Sequence, residues 1–194
     1  MRAKYVATAV LLLTTSAGTA GAQEVPGCWV RGERADLELR ASPFDSASVA
    51  LDAGTVKVCY SRPRKLGRPI MGRLVPYGAP WRMGADEATS IHLPVAGSVA
   101  GVDLQPGWYS LYAVPGEREW QIVVNREARR WGTPIDDAVR AADIGHGNVS
   151  AHTADSFEDL LRARFDQSAD NAAELVVHWD RTAVRIPVVL HPAR

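Results

Sequence analysis

The sequence has little of what a metal centre or a cofactor site needs. Its 194 residues include 2 cysteines, Cys28 and Cys59, and neither has a second cysteine or a histidine at ligand spacing. The 5 histidines form no His-Glu-x-x-His pattern, so no metal site is expected. No Gly-x-Ser-x-Gly elbow occurs, and Gly67, Gly72, Gly78 and Gly84 are too widely spaced for one phosphate nest, so no cofactor is expected. Charge of one sign is also missing, with 22 basic residues against 22 acidic ones. A neutral chain with no basic helix and no aromatic stacking platform is a poor partner for nucleic acid.

Long apolar runs are absent too, apart from one at the N-terminus. Arg2 and Lys4 precede the apolar stretch Tyr5 to Leu13, and Ala20-Gly21-Ala22 supplies small residues for cleavage. Residues 1–22 are therefore read as a signal peptide cut after Ala22. The protein is then exported, periplasmic or secreted, with no transmembrane segment left after cleavage. Cleavage removes two basic residues, which leaves the mature chain slightly acidic. In an oxidising compartment Cys28 and Cys59 read as one disulfide; the alternative is two buried free thiols. The disulfide would tie an N-terminal segment, residues 23–35, to a single domain over residues 36–194.

What is present is short alternation. Leu37 to Ala41, Thr55 to Tyr60, Ala88 to Leu93, Trp108 to Val114 and Trp120 to Asn125 each alternate apolar and polar side chains. Glu174 to Trp179 and Ala183 to Leu190 do the same, with Asp180-Arg181 read as a turn between them. Weaker strands are expected at Ala47 to Leu51 and Val95 to Val102. Seven to nine short strands punctuated by glycine and proline predict a mainly all-β fold, a single antiparallel β-sandwich. Ile135 to Ala142 is expected as a short helix. Leu160 to Phe165 fits a helix or a strand equally well, because Phe157, Leu160, Leu161 and Phe165 are helically spaced while Leu161, Ala163 and Phe165 alternate.

Residues 61 to 87 break the pattern and form one long ordered loop. Tyr77, Trp81, Arg82, Asp86 and Glu87 cluster there, with His92 on the next strand. Three uses are open to them. Arg82 and Glu87 could pair and pin the loop. Tyr77, Trp81, Arg82, Asp86 and Glu87, with Arg62 and Arg68 from the basic run Arg62, Arg64, Lys65, Arg68 and Arg73, could hold a ligand. A hydrolase-like site would use Glu87 or His92 as acid or base and Arg82 as an anion clamp. Asp86 and Glu87 would point to opposite sides of an extended chain, which is poor geometry for a carboxylate pair. Of the 6 tryptophans, Trp108, Trp120 and Trp179 lie in strand patterns and read as core. Trp81 and Trp131 are freer to bind, and Trp29 is placed to pack on the disulfide.

The same segment carries a family resemblance. Gly67-Arg68-Pro69-Ile70-Met71-Gly72, Leu74-Val75-Pro76-Tyr77-Gly78, Trp81-Arg82 and Gly84-Ala85-Asp86-Glu87-Ala88-Thr89 resemble the signature of the domain-of-unknown-function 2911 family. Tyr60-Ser61-Arg62-Pro63, Pro106-Gly107-Trp108-Tyr109-Ser110-Leu111-Tyr112 and the closing Glu174 to Pro187 extend it over about residues 36 to 190. The resemblance implies an exported, β-rich bacterial protein with no established activity, and favours a strand at Leu160 to Phe165. Similar sequences often carry Asn where this chain has Asp86. The expected function is a binding or interaction module whose partner is a small or anionic envelope ligand or a protein; the sequence sets no oligomeric state.

Overall fold

The computed structural model describes residues 27–192. The expected signal peptide lies outside the described residues. Nine strands follow a 3-10 helix at Arg34–Leu39: β1 Phe44–Leu51, β2 Gly54–Ser61, β3 Thr89–Leu93, β4 Gly97–Val99, β5 Val102–Leu104, β6 Gly107–Pro115, β7 Glu119–Asn125, β8 Asp143–Ala169 and β9 Ala172–Leu190. One short helix, α1 at Asp137–Arg140, precedes β8. Every strand pairing is antiparallel, in the order β1-β2-β3-β6-β7-β8-β9-β4-β5.

The two layers are joined by one long strand, β8, that belongs to both. The first part of β8, Asp143 to Ser150, pairs with β7. Past Ser150 the partner becomes β9, starting from Ala151 opposite Val184. Pairing slips between Thr153 and Glu158 and again before Arg162, and such bulges bend a strand. The chain therefore turns from one layer into the other without breaking. Alternation decides which side chains meet between the layers: Val56, Val58 and Tyr60 from β2, Ile91 and Leu93 from β3, Trp120, Ile122 and Val124 from β7, Leu161 and Ala163 from β8, and Leu175, Val177, Trp179, Val184 and Ile186 from β9 are all buried in one cluster. The Tyr60 hydroxyl closes the seam, donating to Ala163 O and accepting from Ala163 N.

The outward face of the first layer is covered as well. A row of paired positions crosses it, Cys59 to Ser90 to Ser110 to Asn125, and all four are buried although they point away from the core. Their small polar character fits the chain laid over them. Cys28 is bonded to Cys59, so the N-terminal segment is fastened to this face by the disulfide. Segment 126–133 adds to the cover, with Ala88 N donating to Arg130 O and Glu87 bridging Trp131.

Several elements differ from the sequence expectation. Leu37 to Ala41 is not a strand: residues 34–39 form a 3-10 helix that buries nothing, and Leu39 is 85% exposed. Alternation alone makes no strand where no neighbouring strand is in reach. Asp180-Arg181 is no hairpin turn but an irregularity inside continuous β9, with Asp180 at φ 58°. The helix expected at Ile135 to Ala142 shrinks to Asp137–Arg140, capped by the Asp136 side chain accepting from Val139 N. Leu160 to Phe165 is strand, as part of β8. Val95 to Val102 resolves into the β4–β5 hairpin, with Ala100 and Gly101 at positive φ in the turn.

Candidate functional site

Segment 62–88 links β2 to β3 across one mouth of the sandwich, and its two arms attach to different layers. On one side Lys65 N donates to Asp159 O and Leu161 N to Pro63 O, which extends the β8–β9 layer. On the other, Trp81 and Ala113 exchange both backbone hydrogen bonds and Gly78 N donates to Pro115 O, which prolongs the first layer beyond the end of β3. Between the arms Ile70, Val75 and Met83 are buried. A tight turn folds residues 69–75 back, with Val75 N donating to Ile70 O and Gly72 N to Val75 O. Gly72 is at φ 77°, and a Cβ there would lie 2.9 Å from the Tyr77 ring. Leu66, Met83 and Asp86 also have positive φ although none is glycine.

The indole of Trp81 enters the mouth between the layers. It meets Trp120 of β7 edge-on at 5.6 Å and lies nearly parallel to Trp179 of β9 at 6.1 Å. Beside it opens a cleft of about 540 Å³. Arg64, Arg68 and Arg82 line it together with Trp81, Trp179, Leu66, Leu74, Val75 and Pro80, and Ser42 and Thr133 complete the polar contribution. Among the described residues that line it there is no carboxylate, imidazole or amide side chain.

The three guanidinium groups differ in how they are held. Arg82 is half-buried; its Nε donates to Gly84 O and its Nη1 to Thr133 Oγ1, both at 3.2 Å. Burial pulls its pKa down, against the pull of Asp86. It has no carboxylate within ion-pair distance among the described residues. Gly132 makes room for it, since a Cβ there would lie 2.4 Å from Arg82 Cδ. Arg68 folds over its own turn, donating to Lys65 O and Arg64 O. Arg64 meets Asp159 at 3.5 Å with both side chains largely exposed, a contact that neutralises little.

The other expected site residues are placed elsewhere. Glu87 does not pair with Arg82. Its Oε2 accepts from Arg40 Nη1 at 2.6 Å and its Oε1 from Arg31 N at 2.8 Å, while Arg40 Nη2 donates to Arg31 O. The chain turns through left-handed Met83 and Asp86 between Arg82 and Glu87, and the N-terminal segment supplies the cation instead. Burial would raise the Glu87 carboxyl, but the bonds from Arg40 and Arg31 outweigh it and hold the group below the usual carboxylate range. Both arginines also lie over the Trp131 ring, at 5.5 and 5.9 Å, so Trp131 is occupied. Asp86 is half-buried and raised by desolvation. His92 sits on the outward face, 5.1 Å from Trp108, lowered by burial and then by Lys57.

The cleft thus unites Trp81, Arg82 and Arg68, and does not include Glu87, His92, Asp86, Tyr77 or Arg62. Arg62 bonds Leu161 O and pairs with Asp45 at 3.3 Å, bracing β2 against β8. The acid, base and clamp of a hydrolase-like site are not gathered in it. Sequence reasoning missed Trp179, Ser42 and Thr133 as lining residues. Trp179 carried no signal, because a tryptophan in an alternating strand reads as core whether or not one edge meets a cleft. Arg64 was signalled by the density of the basic run.

A family model described as a protein of unknown function, DUF2911, matches residues 42–188 of this chain. The chain belongs to the DUF2911 family. No curated protein and no solved structure matches it. The DUF2911 match begins at Ser42 on the rim of the cleft and takes in loop 62–88, whereas Cys28, Arg31 and Arg40 precede it.

Proposed function

We propose that this DUF2911 protein is an exported binding module that takes a small anionic ligand in the cleft beside Trp81. The observation that carries this reading is the composition of the cleft wall: among the described residues it has three arginines, two tryptophans and no acidic side chain. Guanidinium groups present planar donor pairs to phosphate, sulfate or carboxylate oxygens, and half-buried Arg82 is screened less by water than an exposed arginine. The volume lies within the range of small-molecule sites, roughly 300–1,000 Å³. Without an acid or base in the wall, the arrangement holds an anion rather than transforming it.

Export is supported by the n-region, h-region and small-residue motif of residues 1–22 and by a disulfide that suits an oxidising compartment. Amino-terminal sequencing of the protein recovered from a periplasmic or culture fraction should begin at Gln23; recovery of an uncleaved chain in the cytoplasm would exclude export. For the cleft, titration of the mature protein with inorganic phosphate, sulfate and citrate should change tryptophan fluorescence saturably. Arg82→Ala and the Arg64→Ala/Arg68→Ala pair should each lower affinity about tenfold or more, and Arg126→Ala, an exposed arginine outside the cleft, should not. Equal binding by all of these proteins, or no saturable signal, would reject the reading.

A further inference from the structure

We infer that the ligand is an amphiphilic anion, an alkyl or aryl ester of phosphate or sulfate, with its charged head on Arg82 and its apolar body along Trp81, Leu66 and Leu74. This rests on the binding reading above and specifies the ligand.

The cleft wall is divided in kind. Uncharged polar groups are almost missing: Ser42 and Thr133 provide the hydroxyls, and Thr133 Oγ1 already accepts from Arg82. A sugar acid of similar size would place several hydroxyls against carbon, with no carboxylate or amide to receive them. The apolar wall instead runs from buried Val75 outward to Leu74 and Leu66. Leu66 is 70% exposed and its backbone is left-handed, at φ 51°. A leucine held outward in a conformation that L-residues rarely adopt has no evident role in stabilising the fold. Its exposure is accounted for by a body that covers it. The head position follows from Arg82, the most enclosed of the three cations, which leaves Arg64 and Arg68 at the rim to attract and orient the anion.

Calorimetric titration of the mature protein with inorganic phosphate and with methyl, butyl, hexyl and phenyl phosphate tests the inference. Affinity should rise by roughly fourfold per methylene from methyl towards hexyl phosphate as each group leaves water. Leu66→Ser/Leu74→Ser should flatten that rise to under about twofold per methylene. These side chains are exposed, so the fold should tolerate the change. Hexyl phosphate exceeding phenyl phosphate would assign an aliphatic, lipid-like source, and the reverse an aromatic one; either upholds the inference. An arginine-dependent but flat series would overturn the amphiphile and leave the anion site standing. Glucuronate binding more tightly than hexyl phosphate would also overturn it. Absence of binding by every ester and by inorganic phosphate, sulfate and citrate would remove both readings.

Discussion

At position 86 the backbone is left-handed, with φ 54°, and asparagine and aspartate tolerate that region better than other non-glycine residues. That backbone accommodates Asp86 or an asparagine in its place without calling for a carboxylate. Asp86 is raised by desolvation, so its carboxyl holds a proton more readily folded than unfolded. Its ionisation therefore removes stability as pH climbs through the carboxylate range. Asp86→Asn should accordingly be more stable than the parent at neutral pH, with an advantage that shrinks as pH falls. Asp86→Ala should be less stable than Asp86→Asn by about 1 kcal/mol because the strained backbone remains. Glu87 behaves in the opposite sense. It is held low, so its contribution is full above the unfolded carboxylate range and is lost as pH falls towards the folded value. Glu87→Gln should lower stability at neutral pH by about 2 kcal/mol and flatten the acid limb of the stability profile. Urea unfolding of the three variants between pH 3 and 7 checks these expectations.

Among the elements, β1, β2, β3, β6 and β7 were legible because each has one face in the core and neighbours that enforce a period of two. Of the long β8 only Leu160 to Phe165 was, and there a helix fitted the spacing as well. Its first half has one buried residue, Val149, and residues 154–157 leave the pairing altogether, so no alternation marks it. The cleft was half legible. Trp81, Arg82 and the basic run stood out, but their partners come from residues 42, 133 and 179, which only the closed sandwich brings near. Gly132 illustrates what sequence does not show, since its value is the space it leaves for Asp86 O, 2.8 Å from where a Cβ would lie, and for the side chain of Arg82. Gly132→Ala should push that guanidinium aside and weaken anion binding about tenfold, while circular dichroism keeps its β signature. The N-terminal segment depends on its staple instead. Cys28 and Cys59 are 31 positions apart, and opening such a loop costs about 3–4 kcal/mol in the chain-entropy description. Reduction, or Cys28→Ser/Cys59→Ser, should lower the urea midpoint accordingly.

For the molecule as a whole, Trp81 is where the two layers and the loop come together, touching β7 through Trp120 and β9 through Trp179. Trp81→Ala should cost about 3 kcal/mol, and cross-layer contacts near the mouth should show the greatest rise in amide hydrogen exchange. The outer face presents a different situation. Residues 31 and 40 both end on the carboxylate of Glu87, while the 3-10 helix between them buries nothing. The ends of this arch are joined to each other independently of what lies between them. A protease that nicked it at residues 34–39 would release no fragment, because Cys28 stays covalently attached to the sheet. By the same logic the arch is a graft point: an epitope or reporter peptide spliced between Gly32 and Leu39 would ride outside the sandwich, its two stems fastened by one carboxylate.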